Sequence, residues 1–343
     1  MSDETAAMGV RLEPVDEYMH EVGPEPNFNE SMYFNVVDPS SGVGGFFRVG
    51  NRPNEGTGEM TVCLYLPDGR VGFMFKRPEV TSNEAFDSAG LRFAVVEPFE
   101  ELTVSYDGKV VVLDDPLQLA DPKAAFTSNP YADSEVRLTY TRVSDMFGGE
   151  PDEPHEKPGE EFAKGHYEQL VAGIGTIRVG DEEWAIDGYG LRDHSWGPRY
   201  WQAPWYYRWL TANHGPDFGF MASRIARRDS DGTRGGFVWQ DGTLHLCDSC
   251  EVSTEWSEPG TYQSTVRATL GSSRAGRQWS IEGRVRTMVP LRNRRQTPDG
   301  DWLHTRIGEG LTEWTVDGVE GTGWGLSEYL DQLVDGRPVG IDE

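Results

Sequence analysis

The hexapeptide MYFNVV at residues 32–37 returns as WYYRWL at residues 205–210, which sets Tyr33 against Tyr206, 173 positions further on. Two more features keep the interval. Gly45-Phe46-Phe47 matches Gly219-Phe220-Met221 at 174 positions, and Asp68-Gly69 matches Asp241-Gly242 at 173. An aromatic strand, a glycine-led strand and an Asp-Gly hairpin signal recurring at one spacing imply two β-domains of one architecture. No ten-residue amphipathic stripe of helical period interrupts the first half, so the expected fold class is all-β.

Outward from the repeat, short strands are expected at 32–37, 45–49, 59–66, 70–75, 91–96, 101–106, 109–113 and 136–142, with Asp107-Gly108 as a turn and a short helix within 116–129. The segment GGEPDEPHEKPGEEFAKG, residues 148–165, carries three prolines and six acids and buries too little to order itself. It reads as a linker, with His155 solvated inside it. Strands resume at 167–178 and 183–192, and further ones follow to residue 330. The expected organisation is an acidic lead-in (1–27), an N-terminal β-domain (28–147), the linker (148–165) and a C-terminal β-domain (166–343) that carries the site.

Composition narrows the function. Fifty-seven acids against 31 bases give a net charge of −26 over 343 residues, which repels phosphate backbones and anionic lipid. No nucleic-acid partner and no stable membrane insertion are expected. The first residues have neither a basic head nor an apolar core of a signal peptide, so a cytoplasmic location is expected. Three cysteines, Cys63, Cys247 and Cys250, form no complete disulfide framework. His245, Cys247 and Cys250 supply three soft ligands, but a structural zinc site wants four, and the pair reads as strand cysteines. There is no glycine-rich phosphate loop on a strand–helix unit. Neither metal nor cofactor is expected, and the oligomeric state stays open.

The chemistry concentrates in DGYGLRDHSWGPRYWQAPWYYRWLT, residues 187–211, where Arg192, Asp193, His194 and Arg199 sit among eight aromatic rings. Buried charge must be paired or functional. Strand alternation places Trp205, Tyr207 and Trp209 on one face, and as a lining they would favour an apolar ligand and stabilise a cation by ~2 kcal/mol or more per ring. Asp193 is the candidate acid and His194 its proton partner, with Trp196, Tyr189, Trp205, Tyr207 and Trp209 as substrate-binding rings. An aspartic acid protonated near neutrality needs a shift of at least ~2 units from its free value, and pairing with Arg192 would work against it. Glu328 is the next candidate: a hairpin centred near Val319 would put it on one face with Thr312, Trp314, Trp324 and Leu326, whereas a turn at Asp317-Gly318 would flip the pairing. The competing reading of Asp193–Trp196 is a tight turn with Asp193 capping amides.

Gly165-His-Tyr-Glu-Gln169 followed by Gly188-Tyr-Gly-Leu-Arg-Asp-His-Ser-Trp-Gly-Pro-Arg199 resembles the signature of proteins related to carotenoid 1,2-hydratase (hydroxyneurosporene synthase). Kievitone hydratase and lipocalin-like Diels–Alderases are similar to that superfamily. The resemblance implies two lipocalin-like β-barrels in tandem and a His-x-Trp pair in the site, matched here by His194-Ser195-Trp196. The hydratases' Tyr-x-Asp pair has no counterpart in Phe218–Ala222. The function expected is a cofactor-independent lyase or isomerase, hydratase- or cyclase-like, acting on an apolar isoprenoid-like small molecule. The alternatives are a non-catalytic binder of lipophilic ligands and a pericyclase that uses no acid.

Overall fold

The computed structural model describes residues 8–152, 161–258, 261–296 and 300–342; the expected linker residue His155 lies outside them. It divides into two compact units, Met1–Asp114 with Phe126–Tyr200, and Asp115–Ala125 with Trp201–Glu343. Both are built almost wholly from antiparallel strands, in keeping with the all-β expectation.

The longer strands of the first unit are β1 (Phe28–Asp38), β2 (Val43–Arg52), β3 (Thr57–Tyr65), β4 (Val71–Lys76), β5 (Leu91–Glu97), β6 (Glu101–Leu113), β7 (Tyr131–Arg142), β8 (Gly165–Val179) and β9 (Glu182–Pro198). Pairing runs β1-β2-β3-β4-β6-β7-β8-β9 and back to β1, a closed ring of eight strands with β5 added along β6. The ring encloses Met32, Phe34, Val36, Phe47, Val62, Leu64, Leu138 and Tyr140. A segment ahead of β1 contributes a 3-10 turn, Pro14–Glu17, with Asp16 and Glu17 buried. It is therefore not a surface lead-in.

The second unit has β10 (Tyr206–Asn213), β11 (Phe218–Arg227), β12 (Ser230–Gln240), β13 (Thr243–Cys247), β14 (Ser249–Trp256), β15 (Gln263–Ser272), β16 (Arg277–Gln296), β17 (Trp302–Val316) and β18 (Gly323–Val334). Its sheet order is β13-β12-β11-β10-β18-β17-β16-β15-β14. Each strand occupies the place of the strand nine earlier in the first unit. The strand order thus repeats, and Tyr33 and Tyr206 lie on equivalent strands but on opposite faces: Met32, Phe34 and Val36 enter the first core while Leu210 and Ala212 enter the second, so the 173-residue register does not hold residue by residue. The boundary is not where the linker suggested: the β8–β9 hairpin ends the first repeat instead of opening the second, because β9 pairs with β1 and β8 with β7. Phe147–Pro151, which overlaps the start of 148–165, is itself a strand, bonded to β8 and to Val10–Arg11.

Turn chemistry explains most hairpins. Between β12 and β13, Asp241 and Gly242 both take left-handed φ (51° and 77°), the conformation a two-residue primed turn requires. Between β3 and β4 the loop is one residue longer: Leu66 N donates to Arg70 O, and only Gly69 is left-handed. Asp107-Gly108 is no turn. It lies inside β6, where Tyr106 folds over Gly108 and donates to Lys109 O at 2.8 Å. The 116–129 segment forms a 3-10 turn and the short helix α1 (Pro122–Ser128). Asp193–Trp196 is no turn either, for β9 runs straight through it to Pro198.

The β9–β1 seam that closes the first barrel demands glycine. A Cβ on Gly190 would sit 1.9 Å from Asn35 O, a backbone atom, whereas one on Gly242 would meet open space. Gly242→Ala should cost about 1–2 kcal/mol for its left-handed φ. Gly190→Ala should cost more, since the strands themselves must part, and urea unfolding of the two variants compares them.

Candidate active site

Alternate residues of β8 and β9 face the first barrel's interior. Arg192 lies across from Phe34 and Gln169, His194 from Met32 and Tyr167, and Trp196 from Glu30 and Gly165. The inward residues of the two motifs, Gly165, Tyr167, Gln169 and Arg192, His194, Trp196, are therefore one patch. Gly165 is needed there because a Cβ would lie 2.2 Å from the Trp196 ring.

The N-terminal segment completes the patch. The Arg192 guanidinium grips Glu17 with two bonds, 2.7 and 2.9 Å, and donates from Nε to Gln169 Oε1 at 2.9 Å. Tyr167 donates its hydroxyl hydrogen to Glu17 Oε1 at 2.6 Å, and its oxygen lies 3.2 Å from His194 Nδ1. His194 Nε2 meets Glu30 Oε1 at 2.7 Å, and His20 Nδ1 meets the same oxygen at 2.8 Å. Glu30 Oε2 accepts from His20 N and Asn83 Nδ2. His20 Nε2 faces Asp16 Oδ1 at 3.3 Å. Trp196 stacks on His20 at 4.0 Å, and Phe86 sets its edge against His194.

Glu17, Glu30, Tyr167, Arg192 and His194 are fully buried, and their pairing decides their ionisation. Burial alone would push the Glu30 carboxyl up, but hydrogen bonds from His194 and His20 outweigh it and hold the group at about 2. Burial likewise opposes the Glu17 carboxylate, and Arg192 overrides it, so Glu17 is shifted down. At His20 burial favours the neutral ring, yet Glu30 and then Asp16 shift the group upward. His20 keeps 19% of its side chain exposed while His194 has none. The arrangement is a hydrogen-bonded chain running from a buried imidazole, through a carboxylate, to an imidazole that reaches solvent.

A family model for a domain of unknown function, DUF7064, matches residues 13–333. The chain belongs to the DUF7064 family. No curated protein sequence matches it. Solved structures similar to this DUF7064 protein include an AttH-type protein of Nitrosomonas europaea, 14% identical with a TM-score of 0.57, the match covering 94% of this chain and 97% of the other. CghA, a Diels–Alderase, in its structure with Sch210972 gives 14% and 0.55 over 96% and 97%. Kievitone hydratase of Nectria haematococca gives 9% and 0.54 over 97% and 94%. At such identities the shared property is the lipocalin-like fold. The DUF7064 match begins ahead of Asp16, Glu17 and His20, so residues 13–27 of the expected lead-in fall within the family domain.

Other expected site residues of the DUF7064 protein lie elsewhere. Asp193 is on the opposite face of β9 from His194, its Oδ2 3.7 Å from His166 Nε2, because neighbours on a strand point apart. Tyr189 is half-buried on that same outer face, across from Val37 and Ala172. Trp205, Tyr207, Trp209 and Glu328 belong to the second unit. There the inward face of β10 carries Tyr206, Arg208 and Leu210, with Leu210 in the core. Arg208 can point inward because Asp331 accepts two bonds from it, at 3.1 and 3.2 Å. Tyr207 and Trp209 are on the other face, and Trp205 is half-buried with the Arg228 guanidinium 4.5 Å over its ring. The β17–β18 register sets Trp314 against Gly323 and Glu328 against Glu309, so Thr312 and Trp314 do not share the Glu328 face. Tyr207 donates to Glu328, and burial together with Glu328 pushes Glu309 well above the usual carboxylate range. Cys247 and Cys250 pack in the core, where burial raises each thiol to about 12.

Sequence reading missed Glu17, Glu30, His20, Asp16 and Tyr167. The available signal was Glu30 itself, an acid in phase with Phe28, Met32, Phe34 and Val36 on an otherwise apolar strand face.

Two outcomes are expected. Arg192→Leu should destabilise the protein by about 3–5 kcal/mol by stranding Glu17, and the added Glu17→Leu should recover most of that; a double-mutant cycle in urea measures it. Glu309 binds its proton more tightly folded than unfolded, so its contribution is present below the unfolded pKa and is lost as pH rises towards the folded one. Glu309→Gln should therefore raise the melting temperature more at pH 8 than at pH 5.

Proposed function

We propose that the protein is a lyase or isomerase that moves a proton on an apolar, isoprenoid-like small molecule, and that His20, Glu30 and His194 carry the transfer. The observation that carries this reading is the Glu30 carboxylate held between two imidazoles, one sealed and one reaching solvent beside Trp196. A carboxylate that stays charged orients the imidazoles, as a general acid–base pair requires. His20, not the fully enclosed His194, is the group placed to meet a substrate. Trp196 and Phe86 supply the apolar and cation-stabilising surface. The kinship in fold with kievitone hydratase supports a hydratase-like reaction, and the motif resemblance to carotenoid 1,2-hydratase supports an isoprenoid substrate. The net charge of −26 favours a neutral apolar partner over nucleic acid, and a cytoplasmic setting suits the three free thiols.

The fold shared with a Diels–Alderase supports a second reading, a pericyclase that shapes a polyene without acid. Incubating the protein with a lipophilic extract in deuterium oxide and analysing products by mass spectrometry separates the readings. Proton transfer predicts one solvent deuterium in the product and a loss of about 10²–10⁴-fold in Glu30→Gln, with Asp193→Asn active. Product without deuterium and an active Glu30→Gln would select the pericyclase. A ligand recovered unchanged from every variant would mark a binding protein.

A further inference from the structure

We propose that His20, Glu30 and His194 form a site for one divalent transition-metal ion, such as zinc or cobalt. The assignment does not depend on the reaction proposed above. The His20 and His194 nitrogens and the Glu30 oxygen lie within 4.8 Å of one another, with His20 Nδ1 2.8 Å and His194 Nε2 2.7 Å from Glu30 Oε1. Ligands bound at roughly 2.0–2.2 Å around such an ion stand only slightly further apart than these hydrogen-bonded atoms, so small side-chain adjustments suffice. Two imidazoles and one carboxylate from separate stretches of chain make a set that suits zinc, cobalt, nickel or iron better than calcium or magnesium.

The surroundings are those of metal-binding histidines, whose other ring nitrogen is held by a second hydrogen-bonding group. His20 Nε2 faces Asp16. His194 Nδ1 faces the Tyr167 oxygen, and Tyr167 in turn donates to Glu17. The other oxygen of Glu30 is fixed by Asn83 and the His20 amide. The Arg192–Glu17 pair need not rearrange. The ion and a transferable proton compete for the same lone pairs, so zinc would withdraw His20 and His194 from acid–base work.

The test uses metal alone and needs no substrate. Protein stripped with a chelator is titrated with cobalt(II) chloride and followed by visible absorption, with zinc chloride as competitor and circular dichroism to confirm folding. One equivalent of cobalt with d–d bands, lost in His20→Ala and weakened about 10- to 100-fold in Asp16→Asn, is the expected result. His166→Ala should bind normally. Wild-type protein that takes up no cobalt, or binding unchanged in a folded His20→Ala, or binding lost in His166→Ala instead, would overturn the proposal.

Discussion

The first barrel depends on one ion pair. Arg192 is wholly enclosed, and without Glu17 it would be a bare charge in an apolar interior, costing several kcal/mol. Glu17 arrives on a turn ahead of the first long strand, while Arg192 sits on the last, so the pair fixes the N-terminal segment onto the end of the barrel. Every other element of the cluster follows from that placement. The same turn brings Asp16, and the chain three residues on brings His20 to Glu30. Tyr167 is oriented because its hydroxyl shares Glu17 with Arg192.

The second unit solves a similar problem with different parts. Its buried arginine, Arg208, is on the first strand of its sheet and is held by Asp331 on the last, by the Gly340 carbonyl at 2.6 Å and by the Tyr206 and Tyr329 rings. All of its partners are used structurally, and no imidazole stands beside it among the described residues. Two repeats of one strand order thus carry one polar core built for packing and one in which titratable groups are linked in series.

Much of the fold was legible in the sequence, because strands and hairpins are local. The two aromatic strands, β1 and β10, and the Asp241-Gly242 turn were read where they occur, although the 173-residue match set an outward Tyr33 on an inward Tyr206. The boundary was not legible, since a proline-rich acidic stretch resembles a linker whether or not a hairpin of the preceding domain follows it. The site was half legible. Arg192, His194 and Trp196 stood out as a motif, but adjacency in sequence suggested Asp193 as their partner, whereas β-geometry turns it away. The true carboxylates, Glu17 and Glu30, are 175 and 164 positions from Arg192 and His194 respectively. Only the closed ring brings them together, and periodicity in one segment carries no information about that closure.

The ring has a cost during synthesis. β1 finds β9 only after Asp193 has been made, 160 positions beyond its partner Tyr33. At roughly 5–20 residues per second, the ribosome leaves an apolar strand edge open for on the order of ten seconds or more. Pairings so distant in sequence are also slow to form once the chain is available. During that interval Phe28, Met32, Phe34 and Val36 present a sticky margin to other nascent chains, so the yield of soluble protein in a cell should depend on chaperone supply and on the pace of translation as much as on final stability.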